Sequence, residues 1–267
     1  MQWQPARPAS SPARRPRRWL LGALLLGALA ALGAAGAIWW TLPDVGPLAR
    51  VNPQTTAFIE IRRASAREAK KPFHLKWRWR RLGDISPYLR HAVISAEDAR
   101  FWQHDGVDWE AVRDAAEYNW EEKRLARGAS TITQQVAKNL YLTPSRNPLR
   151  KLRELLITWR LEDRLSKRRL LEIYLNIAEW GDAVFGAEAA AQHWFGCSAA
   201  ELSPAQAARL AVALPNPRAF SPAHRAPALD RKAERLLRAM RRDHLISGTQ
   251  YDRAMAEVTS LHRTALR

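Results

Sequence analysis

Two stretches of this chain have residue types and spacing suited to chemistry on an oxygen-rich anion. The first is Gly128-Ala129-Ser130-Thr131-Ile132-Thr133-Gln134-Gln135-Val136-Ala137-Lys138-Asn139. As a helix it would stack Ser130, Gln134 and Lys138 on one face, with Ile132, Val136 and Leu140 opposite. The apolar stripe would anchor the helix and leave a hydroxyl, an amide and an ammonium in a row. The second is Glu97-Asp98-Ala99-Arg100-Phe101-Trp102-Gln103-His104-Asp105-Gly106-Val107-Asp108. Here Glu97 ends an apolar run and is followed by two aromatic residues. A carboxylate against aromatic surface loses water, and its pKa rises toward the range of a general base. Taken alone, a Glu at such a place more often forms a helix-terminal salt bridge, here with Arg100.

Two further segments extend the pattern. Glu154 follows Arg150 and Lys151 by one helical turn, on a helix whose apolar side reads as Leu149, Leu152, Leu155, Leu156 and Trp159. Lys167-Arg168-Arg169-Leu170-Leu171-Glu172-Ile173-Tyr174-Leu175-Asn176 is amphipathic, with Gly181 and Gly186 after it. Its Leu171, Tyr174 and Leu175 should pack, while Glu172 and Asn176 hydrogen-bond and shape a cleft.

The elements that must position these residues read as mainly α-helical. Apolar spacings of three and four predict helices over 87–96, 109–125, 130–140, 148–165, 167–177, 187–195, 204–214 and 229–245. Ser86-Pro87 and Ser203-Pro204 supply helix starts with Pro at the first position. Strand signals are sparse: a short strand at 56–61 in an otherwise linker-like segment over 42–75, and the alternating Lys76-Trp77-Arg78-Trp79-Arg80-Arg81. The latter reads either as a solvated edge strand with partly packed indoles or as a contact with lipid headgroups.

Trp19 to Trp40 contains no charged residue. At about 1.5 Å per residue it spans a hydrocarbon core of about 30 Å, so residues 19–41 are expected to form a transmembrane helix. Trp19, Trp39 and Trp40 would sit at the interfaces, and the basic tail over residues 1–18 (Arg7, Arg14, Arg15, Arg17, Arg18) would stay cytoplasmic. Ala34-Ala35-Gly36-Ala37 offers the alternative of a signal-peptide cleavage site.

The formal charge of +17 over 267 residues favours a polyanionic partner: nucleic acid, an anionic bilayer or a phosphorylated substrate. The single cysteine, Cys197, excludes an internal disulfide framework, and no Cys/His cluster has zinc spacing. An apolar fraction of 47% is ample for one sizeable core.

Together the four segments closely resemble the motifs of the family 51 peptidoglycan glycosyltransferases, in order and at family-like spacing from about Trp77 to Pro222. The Trp194-Phe195-Gly196-Cys197 segment departs from the tyrosine-bearing one common there. The resemblance implies a lysozyme-like helical glycosyltransferase domain over 76–225, completed by a C-terminal helical segment over 226–267. It implies a bacterial inner-membrane enzyme with its catalytic domain on the periplasmic side. The substrates implied are lipid II and the growing glycan strand, with other cell-wall synthesis or division proteins as partners and no nucleic acid. Glu97 would be the catalytic base, and Glu154 the second important carboxylate, orienting substrate or holding a divalent cation (Mg²⁺ or Mn²⁺). Lys138 and Arg146 would bind the pyrophosphate, with Ser130, Gln134, Gln135, Arg150 and Lys151 in the same binding set. Asp98, Phe101, His104, Gly106, Glu172 and Asn176 would be structural. The absence of Ser-x-x-Lys, Ser-Asp-Asn and Lys-Thr-Gly leads us to expect no transpeptidase activity. The rivals are a lysozyme-like lytic enzyme, which would use two carboxyl groups, and a tethered basic protein that binds anionic polymer or DNA.

Overall fold

A computed structural model describes Met1 and residues 17–123, 128–145, 147–224 and 226–264. The chain forms two units, residues 1–42 and 43–267. The first carries helix α1 (Arg17–Trp40), with the side chains of Trp19, Leu24, Leu25, Leu26, Leu29, Leu32, Trp39 and Trp40 exposed. Among the described residues no helix is long and apolar enough to cross a membrane, so the helix at residues 19–41 is present but its crossing is not shown. The arginine-rich tail lies almost entirely outside the described residues.

The second unit is mainly helical. Its helices are α2 (Ala57–Glu68), α3 (Pro87–Glu97), α4 (Trp109–Glu121), α5 (Ile132–Tyr141), α6 (Pro148–Arg164), α7 (Lys167–Ile177), α8 (Ala187–Phe195), α9 (Pro204–Ala213), α10 (Pro227–Arg242) and α11 (Gly248–Thr264). Local chemistry sets many of their starts. Thr56, Asp108, Thr131, Asn147, Ser166 and Ser203 each accept a first-turn N–H on the side chain, and Thr131 with Gln134 and Ser203 with Gln206 form reciprocal capping boxes. Strand β1 (Lys76–Trp77) runs parallel to β3 (Val184–Phe185), which pairs antiparallel with β2 (Glu179–Gly181).

Two groups of helices make the scaffold. In one, α3 and α10 pack on α9, and α11 covers α9 and α10; in the other, α6, α7 and α2 surround α5. The core of the first includes Leu89, Ala92, Val93, Leu210, Leu237 and Met240, and that of the second Ile59, Ile132, Val136, Ile157, Leu161 and Leu170. Asn176 ties β1 and the following turn to α7. Its side chain accepts from Arg80 N at 2.7 Å and donates to Arg80 O at 2.8 Å, while its carbonyl accepts from the Trp77 indole at 2.7 Å. Glu172 accepts from Leu82 N at 2.8 Å and pairs with Arg169. Both residues therefore act as scaffold. The tryptophans of the 76–81 segment are used internally, Trp77 on Asn176 and Trp79 under the Arg169 guanidinium at 5.3 Å, which favours the packed edge-strand reading.

Several expectations are corrected. Residues 56–61 are not a strand. Thr56 caps α2, and Ile59 points one β-branched side chain into the core while Glu60 pairs with Arg63 on the outside. The C-terminal helical segment consists of two helices, α10 and, from Gly248, α11. On α6 the assignment of faces is reversed. Leu149, Leu152 and Trp159 are exposed, whereas Glu154 and Thr158 are buried with Ile157 and Leu161. Arg150 and Lys151 cover the Glu154 charge, which permits the inversion. Trp194, in the segment that departs from the family pattern, donates from its indole to Trp180 O at 2.8 Å.

Gly106 is required by space and by conformation. Its φ is +88°, and an added Cβ would lie 2.7 Å from Thr158 Cγ2 and 3.0 Å from Glu162 Cγ. Left-handed strain and overpacking together predict that Gly106→Ala destabilises the protein by about 2–4 kcal/mol. A thermal or urea unfolding comparison checks this, and an unchanged midpoint contradicts it.

Candidate active site

The site is built where the C-terminal end of α3 meets the N-terminal end of α5. Glu97 is the last residue of α3, and Asp98 follows as its C-cap. The Asp98 carboxylate is buried and makes two contacts. One oxygen accepts from Ile132 N, in the first turn of α5, at 2.9 Å; the other lies 2.9 Å from His104 Nε2. His104 Nδ1 accepts from Gly106 N at 3.2 Å. A ring nitrogen that accepts an amide proton is unprotonated, so the ring proton sits on Nε2 and points at Asp98. Thr131, the cap of α5, donates to Gly106 O at 2.6 Å and closes the loop. Phe101 is fully buried beneath this turn, with the Lys167 ammonium 4.8 Å above its ring. Asp98, Phe101, His104 and Gly106 thus hold the turn that carries Glu97.

Glu97 is half-buried, and its Oε2 accepts from Gln135 Nε2 at 2.7 Å. Gln135 in turn accepts from the hydroxyl of buried Tyr174 at 3.1 Å, so a tyrosine on α7 fixes which way the amide faces. Burial holds that hydroxyl well above the ordinary tyrosine value, so it remains a donor. Burial pushes the Glu97 carboxyl above its ordinary value; the Gln135 hydrogen bond and the charges of Lys138 and Lys232 pull it back, while Asp98 raises it further. Arg100 does not pair with Glu97. It is turned to Asp108, with Nε–Oδ2 at 2.9 Å, and to Glu110.

Lys138 lies three residues beyond Gln135 on α5. With Gln135, Asn139, Tyr174 and Phe58 it lines a cleft of about 360 Å³. Its ammonium sits 5.9 Å from the centre of the Phe58 ring and has no carboxylate at hydrogen-bond distance among the described residues. Burial pulls Lys138 below the ordinary lysine value, against the charges of Glu154 and Glu97. Such a cation, desolvated and without a partner carboxylate, is suited to receive an oxyanion. Arg62 of α2 and Arg218 also line this cleft; Arg62 is held bidentate by Glu179 at 2.7 and 2.9 Å.

Glu97 itself lines two other clefts. One, about 530 Å³, is shared with α9 and α10; the other, about 820 Å³, is shared with Asp98, Ser130 and Thr131. The expected row of Ser130, Gln134 and Lys138 is therefore broken. Ser130 precedes the cap of α5 and is exposed toward the 820 Å³ cleft. Gln134 is buried, its side chain spent on Thr131 N at 3.1 Å. A capping box turns the third helical residue back toward the cap, so the amide that faces the site is Gln135.

Glu154 is buried, and its oxygens are taken by Arg150 at 2.6 Å and by Lys151. Arg150 also donates to Ser145 O at 2.6 Å. Arg146 lies outside the described residues. Glu154 thus orients cations. A hard divalent ion asks for several free oxygen ligands, and Glu154 as arranged has none to give. Among the described residues the one cluster of three ligand-type side chains is Asp98, His104 and Asp108. Its carboxylates and imidazole are already engaged with each other, with Arg100 and with backbone N–H groups. These residues do not fit the expected divalent cation.

Sequence reasoning missed Phe58, Arg62, Arg218 and Lys232, and it assigned Tyr174 to packing alone. A Thr cap followed by Phe58 and Arg62 one turn apart was the available signal for α2. As a test of the wiring, Gln135→Met should raise the Glu97 pKa, because it removes the strongest interaction that lowers it. Carboxyl carbon NMR across a pH titration reads the shift; a fall contradicts it.

The transglycosylase family profile matches residues 66–241. A biosynthetic peptidoglycan transglycosylase of Nitrosomonas europaea is 46% identical over 234 residues, covering 88% of this chain and 95% of that relative. Those of Methylobacillus flagellatus (45% over 204 residues; 76% and 86%) and Nitrosospira multiformis (48% over 189 residues; 71% and 82%) are similar. With these matches spanning the turn of Glu97, the cation of α5 and the buried carboxylate of α6, the chain belongs to the transglycosylase family and is an enzyme of peptidoglycan glycosyl transfer.

Proposed function

We propose that this enzyme polymerises lipid II into β-1,4-linked glycan with release of undecaprenyl diphosphate, by inverting general-base catalysis and without transpeptidation. The observation that carries the reading is the placement of Glu97. It is a half-buried carboxylate with one amide partner, and Gln135 connects it to a cleft lined by Lys138, a desolvated cation with no carboxylate at hydrogen-bond distance among the described residues. In this reading Glu97 takes the proton from the acceptor's 4-hydroxyl as that oxygen attacks the donor's anomeric carbon. The leaving diphosphate gains charge, which Lys138 stabilises. Arg150 and Lys151, oriented by Glu154, support it. Arg146 joins this set by resemblance.

The arrangement favours synthesis over lytic cleavage. A retaining or inverting hydrolase needs a second carboxyl group free to serve as acid, base or nucleophile. Asp98 is committed to His104 and Ile132 N, Glu154 to Arg150 and Lys151, Asp108 to Arg100 and Ala111 N, and Asp243 to His91 and Arg242.

We place the enzyme at the bacterial cytoplasmic membrane, with α1 as a single-pass anchor and the catalytic unit on the periplasmic side. The charge-free run from Trp19 to Trp40, with arginines before it, supports this. So do the apolar side chains that α4 (Trp109, Trp120) and α6 (Leu149, Leu152, Trp159) turn outward, which suit contact with lipid.

Purified protein should convert lipid II to a ladder of longer glycan on a gel. Glu97→Gln should cut turnover about 10²–10⁴-fold with the fold retained; wild-type-like turnover in that variant sinks the assigned base. Lys138→Ala should lose about 10²–10³-fold in kcat. The pH profile should be a bell narrower than free Glu and Lys would give. Activity requires Glu97 ionised and Lys138 protonated. The acid limb therefore lies above the ordinary carboxylate value and the alkaline limb below the ordinary lysine value. A profile flat across both limbs contradicts these roles.

A further inference from the structure

The Lys138 cleft contains a cation that the proposed reaction has not used. Arg62 lines it from α2, one helical turn beyond Phe58, whose ring centre lies 5.9 Å from the Lys138 ammonium. Glu179, the first residue of β2, holds Arg62 by one edge only. Nε donates to its two oxygens at 2.9 and 3.2 Å, and Nη2 donates at 2.7 Å. The Glu179 side chain is 7% exposed and that of Arg62 28%. Nη1 has no hydrogen-bond partner among the described residues. A guanidinium carries five N–H donors in a rigid fork, so with the Nε–Nη2 edge taken the Nη1–Nη2 edge is left for a second oxyanion. Glu179 thus fixes the orientation of the group without using its whole donor set.

A second observation points to a ligand in the same cleft. Asn139 lines it and is 8% exposed, and its side-chain amide has no hydrogen-bond partner among the described residues. Buried polar groups are nearly always paired, and leaving one unpaired costs stability, so this amide calls for a polar group from outside the chain. The lining also has an excess of positive charge: Arg62, Lys138 and Arg218 against the single carboxylate of Glu179. Arg218 is 3.5 Å from exposed Asp182.

We propose that Arg62, oriented by Glu179, is a second diphosphate-binding cation of the Lys138 cleft. The inference rests on the glycosyltransferase reading above. A tie between α2 and β2 accounts for the Nε–Nη2 edge of Arg62. It accounts neither for the free Nη1 nor for the unpaired Asn139 amide in the same lining. A diphosphate answers both, since it brings several acceptor oxygens and enough negative charge to balance the excess cations. The two cations suit different parts of that work. The Arg62 fork can take two oxygens at once and so fixes orientation, whereas the Lys138 ammonium is a point charge. The diphosphate is present in the bound substrate as well as in the leaving group, so the Arg62 contact acts mainly on binding.

The test uses the full chain polymerising lipid II, with inorganic pyrophosphate as the competing anion. Arg62→Ala should raise KM about tenfold and the pyrophosphate inhibition constant by a similar factor, with kcat changed far less. Arg62→Lys keeps a cation for Glu179 but lacks the fork, so it should fold with the wild-type thermal midpoint and recover only part of that loss. Glu179→Gln should raise the inhibition constant when Arg62 is present and leave it unchanged in the Arg62→Ala background, the mark of a residue that acts through Arg62. Wild-type KM and inhibition constant in Arg62→Lys overturn the proposal. So does a KM loss in Arg62→Ala with pyrophosphate inhibition unchanged, which makes the pair a tie of the scaffold. Additive effects of the two substitutions, or a wild type that pyrophosphate does not inhibit, overturn it as well. Failure of the wild type to polymerise lipid II overturns the glycosyltransferase reading itself, and this subsite with it.

Discussion

One carboxylate, that of Asp98, joins the two groups of helices on which the site is built. It closes the end of α3 and accepts the first free amide of α5, while His104 approaches its other oxygen. Helix N-termini present unsatisfied N–H groups and a partial positive charge, so a buried carboxylate is stabilised there. The same contact sets the position of the neighbouring residue: with Asp98 pinned to α5, Glu97 cannot lie far from Gln135. The turn that returns the chain to Asp98 passes through Gly106, where there is no room for a side chain against Thr158 and Glu162. The backbone of Glu97 is thus placed by contacts that do not touch its carboxylate.

Charge is distributed unevenly across the site, and the division gives each ionisable group a separate task. Glu154 is buried and fully paired, so it acts by aiming Arg150 and Lys151. Lys138 has an aromatic ring for a neighbour in place of a carboxylate, so its charge stays available. Glu97 has an amide partner, so it keeps a lone pair directed into the clefts and is not locked in an ion pair. Had Arg100 taken Glu97, the carboxylate would be a weaker base; Asp108 and Glu110 occupy that arginine instead.

The buried Glu154 and the exposed leucines of α6 are two aspects of one arrangement. A helix that turns its charge inward and its apolar groups outward is unfavourable in water unless something else meets the apolar face. In the proposed function, the lipid tail of the substrate supplies a reason for such a surface. The cations of α10 lie on another part of the same unit and line a cleft with Glu97.

The helical class and most element positions were legible in the sequence. Apolar periodicity, Ser-Pro starts and the motif order are local properties that survive without knowledge of the fold. The scaffold roles of Glu172 and Asn176 were readable for the same reason. Only the tertiary structure decided which neighbouring amide faces the base, because a capping box redirected Gln134 and left Gln135 to Glu97. It also decided which face of α6 is buried, since the pairing of Glu154 with two cations overrides the hydrophobic pattern. And it brought in Phe58 and Arg62 from far upstream and Lys232 from far downstream. Proximity between residues many positions apart is fixed by packing of whole helices, and no spacing within a motif encodes it.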